Sequence, residues 1–243
     1  MRIFTFSKRC AKEILRDPVN LAFGFAFPLV LLLLLSAMQS NIPVELFAIE
    51  SLAPGIAVFG LSFMTLFSAT LVAKDRESSF LQRLYTTPLK PYEFILGYML
   101  PIIPISVGQS AVCYISALAL GLPISWRIPL AILVIVPICV LYIALGLFVG
   151  SLVGVKAVGG ICGGLFTNLS AWLSGVWFDL SLVGGVFEKA AGFLPFVHAV
   201  ELQRAIISGN LGGTLVHFAI VLAYAFAMTV LAAVAFLKQM KKL

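Results

Sequence analysis

The sequence predicts an all-α membrane protein, and three observations carry that reading. Hydrophobic residues make up 61% of the chain and charged residues only 11%, with a mean hydropathy of +1.10. A soluble domain carries about 25% charged residues, so most of this surface must face lipid or other helices. Six apolar stretches follow one another at 19–39, 52–73, 94–120, 128–150, 157–178 and 214–237. Each has roughly the 20 residues needed to cross a hydrocarbon core of about 30 Å. Finally, the sixteen Lys and Arg residues are partitioned. They cluster at the N-terminus (Arg2, Lys8, Arg9, Lys12, Arg16), between the second and third stretches (Lys74, Arg76, Arg83, Lys90), after the fourth (Lys156) and at the C-terminus (Lys238, Lys241, Lys242), leaving only Arg127, Lys189 and Arg204 in the alternate loops. Short loops rich in Lys and Arg stay in the cytoplasm. The partition therefore predicts a multi-pass protein of the cell membrane with both termini cytoplasmic and 40–51, 121–127 and 179–213 outside.

Residues 1–18 form a leader ahead of the six-helix transmembrane domain at 19–243. On a helical wheel Ile3, Phe6, Cys10 and Ile14 share one face, and Thr5, Arg9, Lys12 and Arg16 another. That pattern predicts an interfacial amphipathic helix on the cytoplasmic leaflet. Asp17-Pro18 ends it, because the residue before proline is driven out of the helical region. The first apolar run extends from Val19 to Met38, longer than a signal-peptide core, and is read as a retained span.

Within the spans, Pro28, Pro101, Pro104 and Pro137 predict bends, since membrane helices tolerate proline where neighbours compensate the lost hydrogen bond. Gly146, Gly150 and Gly154 recur every fourth residue, followed in the fifth span by the pairs Gly159/Gly163 and Gly160/Gly164. Such small-residue ridges let backbones approach closely, inside one chain or between two. Between the fifth and sixth spans, 179–213 is too apolar for a solvated loop and too charged for a crossing, which predicts short re-entrant helices. Pro195 lies in their apolar stretch Phe193-Leu194-Pro195-Phe196. His198, Glu201 and Arg204 follow at three-residue intervals, so ordinary pairing explains them unless they form a gate.

Absences narrow the function. The spans hold almost no ionisable residues, whereas ion-coupled carriers keep such groups near the midplane. No catalytic motif, cofactor-binding motif, metal-ligand spacing or Walker A sequence is present. The basic residues border spans, so anionic lipids, not nucleic acid, are their expected partners. The chain is expected to be no enzyme. Any ATP and Mg would sit on a separate ATPase subunit.

The second cytoplasmic segment offers an entry point for that energy. Phe80, Leu81, Leu84 and Tyr85 make an apolar stripe beside Asp75, Arg76, Glu77 and Arg83, with Pro88 beyond. A short amphipathic helix of this kind inserts into a partner's groove or lies on the membrane; the pattern alone leaves both open.

Four features in order carry a resemblance: Leu15-Arg16-Asp17-Pro18 before a first span containing Pro28; Lys74-Asp75-Arg76-Glu77 with Leu81, Leu84 and Pro88; the Gly-rich fifth span; and Leu194-Pro195 followed by Arg204. Together they resemble the permease subunit of ABC-2-type transporters, and Thr86-Thr87-Pro88 is similar to the drug- and antibiotic-export branch. Ser78 stands where that family typically has Gly. The resemblance implies a coupling helix at 74–88, re-entrant helices after the fifth span, a second permease copy as homodimer or heterodimer, an ABC ATPase partner, and export of an apolar or amphipathic drug, antibiotic or lipid. Sodium extrusion, polysaccharide export and a non-transporting assembly or anchoring role are the alternatives.

Overall fold

The computed structural model describes residues 2–41, 47–78 and 91–240, and these are helical, with no strand among them. The helices are α1 (Arg2–Leu15), α2 (Pro18–Asn41), α3 (Ile49–Gly60), α4 (Ser62–Glu77), α5 (Pro91–Ala119) and α6 (Arg127–Leu152). After α7 (Val155–Val158) comes a π-helical stretch, Gly159–Phe166, continued by α8 (Thr167–Leu173); then α9 (Leu180–Val183), α10 (Gly185–Phe193), α11 (Pro195–Ser208) and α12 (Thr214–Met240).

Five helices are long and apolar enough to cross a membrane: Pro18–Asn41, Ile49–Glu77, Tyr92–Ala119, Arg127–Leu152 and Thr214–Gln239. The expected fifth span, 157–178, is instead a composite helix over 155–173. It ends early because Ser174 caps α8 and Gly175 turns with φ +70°. The hydrogen bonds at its two ends still define its course. Val155 is held beside α4's last turn by Glu77, whereas Gly175 is held by Arg204 of α11. Arg204 also reaches Ser51 at the start of α3. The composite helix therefore runs from one end of the bundle to the other.

α6 occupies the centre, packed against α4 and α12, and its small residues decide how close α4 comes. A Cβ at Gly146 would collide with Ser68 Oγ and Thr65 O, and one at Gly150 with the Ala69 backbone. The contact is sealed laterally. Thr65 Oγ1 donates to Tyr142 O (3.0 Å) and Ser68 Oγ to Ile143 O (3.0 Å). Such bonds hold helices together where lipid supplies no hydrophobic drive.

α2, α5 and α6 continue through Pro28, Pro101, Pro104 and Pro137. The second span breaks elsewhere, at Leu61, whose N–H bonds Val58 O in a tightened turn. Gly60 lies there against the buried Gln109 side chain. Pro18 opens α2 at the position where a missing N–H costs nothing, and Asp17 Oδ1 accepts from Asn20 N (3.2 Å) as its cap.

Candidate functional site

The charged stretch Lys74-Asp75-Arg76-Glu77 forms the last turn of α4, which ends at Ser78 in extended backbone. It does not open a separate helix, as the sequence reading of 74–88 has it. Phe80, Leu81, Arg83, Leu84 and Tyr85 lie outside the described residues. Successive helical residues point about 100° apart, so four in a row face every side of the helix. Here each grips a different element.

Asp75 points inward and is 2% exposed, contrary to the expectation of a polar surface residue. Burying a carboxylate is costly unless it is paired and hydrogen-bonded. Arg9 of α1 supplies both guanidinium ends, Nη1 to Oδ2 and Nη2 to Oδ1 at 2.6 Å, a bidentate geometry that a lysine could not copy. Tyr98 of α5 donates its hydroxyl to Oδ2 at 2.9 Å. Arg9 also meets Glu13 at 2.7 Å. Burial works against the Arg9 charge, but the hydrogen bond and attraction of Asp75 outweigh it and hold the guanidinium above its ordinary range.

The neighbours extend the grip. Lys74 Nζ lies 3.7 Å from Asp17 at the α1–α2 bend. Arg76 Nη1 donates to Gly150 O (2.8 Å) and Val153 O (3.2 Å), carbonyls that the end of α6 leaves without intrahelical partners. Glu77 Oε1 accepts from Val155 N (2.8 Å), an orphan amide at the start of α7, where negative charge also suits the helix dipole. One turn of α4 thus ties together the leader, the bend after it, α5, the end of α6 and the start of α7.

The leader's apolar face is turned into the protein. Phe6 meets Tyr98 edge-on at 4.9 Å and Phe94 at 5.9 Å, with Gly97 leaving room for the ring. Cys10 is fully enclosed, and burial pushes its thiol up to about 12. The stripe read as facing the membrane is thus covered by α5, while Phe4 and Leu15 are exposed on the opposite side.

The family model described as ABC-2 type transporter matches residues 1–208. This chain belongs to that family. No curated protein matches it significantly.

In this ABC-2 chain the glycine group divides. Gly146 and Gly150 seat α6 on α4, and Gly154 lies against Glu77 Oε1 (2.6 Å from a built Cβ). Gly159, Gly160 and Gly164 instead face open space, while a Cβ at Gly163 would come 3.5 Å from Leu66 of α4 in ordinary contact. At the far end, Pro195 opens α11 and Glu201 pairs with Arg204 at 2.9 Å, as spacing suggests. Arg204 does more, donating from Nε to Ser51 O (3.2 Å) and from Nη2 to Gly175 O (3.0 Å). His198 joins neither partner; its Nδ1 meets His217 Nδ1 at 2.8 Å.

Sequence reasoning passed over the buried polar pairs of the interior. Tyr114 donates to Gln203 Oε1 (2.8 Å), Gln203 Nε2 reaches Ala131 O (3.2 Å), and the Tyr142 and Ser170 hydroxyls meet at 2.7 Å. Uncharged residues inside apolar runs give little periodic signal. Only a phenol in the middle of such a run, as at Tyr114 or Tyr142, hints at an interhelical bond.

Proposed function

We propose that this chain is the membrane-spanning permease of an ATP-driven exporter, working as a dimer with separate ABC ATPase subunits. The observation that carries the proposal is the four-way grip of Lys74 to Glu77. It sits immediately before 79–90 and joins that segment to the leader and to the ends of three further helices. A push delivered at 79–90 by an ATPase would reach the leader through Arg9, the fourth span through Arg76 and the fifth through Glu77. In this reading the composite helix 155–173 is a sixth crossing, both termini are cytoplasmic, and α9 to α11 dip into the outer leaflet as re-entrant helices.

The cargo in this reading is an apolar or amphipathic drug, antibiotic or lipid. Support comes from an aromatic ladder that begins on the outer surface of α2. Phe27, two-fifths exposed, contacts Phe63 (5.5 Å), which contacts Phe59 (6.0 Å), which contacts Trp177 (5.6 Å). Gly160 and Gly164 add a close-approach surface for a second copy.

The test is reconstitution of the chain with the ATPase that copurifies with it. Phe80→Ala/Leu84→Ala should leave the permease inserted and dimeric but remove cargo-stimulated ATP hydrolysis and export, since each buried side chain contributes about 1.5–3 kcal/mol to such a contact. Undiminished coupling in the double variant would refute this entry point. Absence of any copurifying ATPase would favour the anchoring role.

A further inference from the structure

His198 and His217 sit on neighbouring helices, α11 and α12, and their Nδ1 atoms meet at 2.8 Å with ring centroids 5.0 Å apart. The other nitrogen of His198, Nε2, lies 2.9 Å from Gly192 O in the last turn of α10. A carbonyl only accepts, so Nε2 carries a hydrogen. The Nδ1–Nδ1 contact then holds a single proton, from either ring. With both rings neutral, His217 donates to His198. With one proton added, the bond persists and is charge-assisted. With both rings charged, two N–H groups face each other and the bond cannot form.

What the pair holds is otherwise weakly held. In α10 only Ala191 is buried, whereas Val186 and Phe193 are 85% and 78% exposed. Its last carbonyls are orphan acceptors. Gly192 O takes the His198 hydrogen, and Phe193 O takes the Tyr224 hydroxyl (2.5 Å), which lies two turns below His217 on the same face of α12. With so little apolar area enclosed, α10 reaches α12 by two polar routes, one through His198 of α11 and His217, the other directly through Tyr224.

Other charges surround the pair. Glu201 stands within electrostatic range of His217 and is itself held by Arg204. Glu188 and Lys189 on α10 and Glu50 on α3 are exposed, and Arg127 of α6 is occupied by Ile207 O and Ser208 O. Apart from His217, α12 brings no charged group before Lys238.

We propose that His198 and His217 form a proton-operated latch that ties the last turn of α10 to α12 through His198 while the pair holds zero or one extra proton, and that breaks this tie when both rings are charged, leaving the Tyr224 hydroxyl as the remaining polar bond between the two helices. The latch belongs to the permease chain alone and does not depend on its cargo.

The experiment places spin labels at Val186 and at Ile124, which is 91% exposed, in the full-length protein in lipid nanodiscs; the four native cysteines are buried and do not compete. Wild type should show a narrow distance distribution at about pH 8 that broadens at about pH 5, on either side of imidazole's ordinary range. His217→Gln keeps a donor and an acceptor but cannot take the second charge, so its narrow peak should survive at both pH values. His217→Phe should give the broad distribution at both. A wild-type distribution indifferent to pH, or a pH response of equal size in both variants, overturns the proposal.

Discussion

Arg9 and Asp75, 66 residues apart, meet through both guanidinium ends and both carboxylate oxygens. The leader is thereby fastened to the second span at the point where that span leaves the bundle. Removing the cation strands a buried carboxylate. Arg9→Ala should destabilise the docked leader by about 2 kcal/mol, the cost of breaking a buried pair reduced for screening at the half-exposed guanidinium. The readout is Cys10. Enclosed and held in its thiol form, it should resist maleimide at neutral pH in wild type and react in Arg9→Ala.

The glycine ridge gives a contrast within one motif. Gly150→Leu drives a side chain into the α4 backbone and should cost more than about 3 kcal/mol, the upper part of the overpacking range. Gly160→Leu enters open space and should leave the detergent-solubilised monomer at wild-type stability. Thermal unfolding of both variants checks this, and dimer content of Gly160→Leu tests the second-copy surface separately.

Glu13 predicts a pH dependence. Burial lifts its carboxyl, Arg9 draws it back down, and Asp75 adds further lift, leaving it above the ordinary value. A folded state that holds the proton more tightly is favoured fully below the unfolded value and loses that advantage as pH rises through the folded one. Glu13→Gln should remove this term. The Tm of wild type minus that of the variant should therefore fall as pH is raised from the ordinary carboxylate range toward neutrality.

Orientation is tested by single cysteines introduced at Ser125, Gly209 and Ser78. The first two should react with an impermeant maleimide in intact cells, and the third only after permeabilisation. Protection at Gly209 together with labelling at Ser78 would invert the topology.

Much of this architecture is legible because apolar length and charge bias are strong signals. The boundaries of α2, α5, α6 and α12 lie within a few residues of the apolar runs, and Asp17-Pro18 ends the leader where expected. Local pattern, however, does not reveal which surface covers which. The Phe6, Cys10 and Ile14 stripe suits lipid or protein equally, and only the room at Gly97 makes protein the partner. Asp75 reads as solvated because its partners, Arg9 and Tyr98, are distant in sequence. Likewise, the glycine spacing runs on through 159–164 although of these glycines only Gly163 meets α4, and His217 is solitary until the turn at 209–213 folds it back onto His198.

The stretch Gly159–Phe166 closes its hydrogen bonds one residue wider than an α-helix does. It sits in a rod tied at Val155 by Glu77 and, beyond its other end, at Gly175 by Arg204. Winding one surplus residue out of the wide turn would rotate everything beyond it by about 100° and shift it about 1.5 Å along the axis. A Cβ at Gly159, Gly160 or Gly164 would meet nothing, whereas Val158 and Cys162 are buried with Ala69 and Ala73 of α4 and would have to leave that cluster in such a rotation. Any twist between the two moorings therefore comes in discrete steps, each of which exchanges the buried packing of Val158 and Cys162 for a new register.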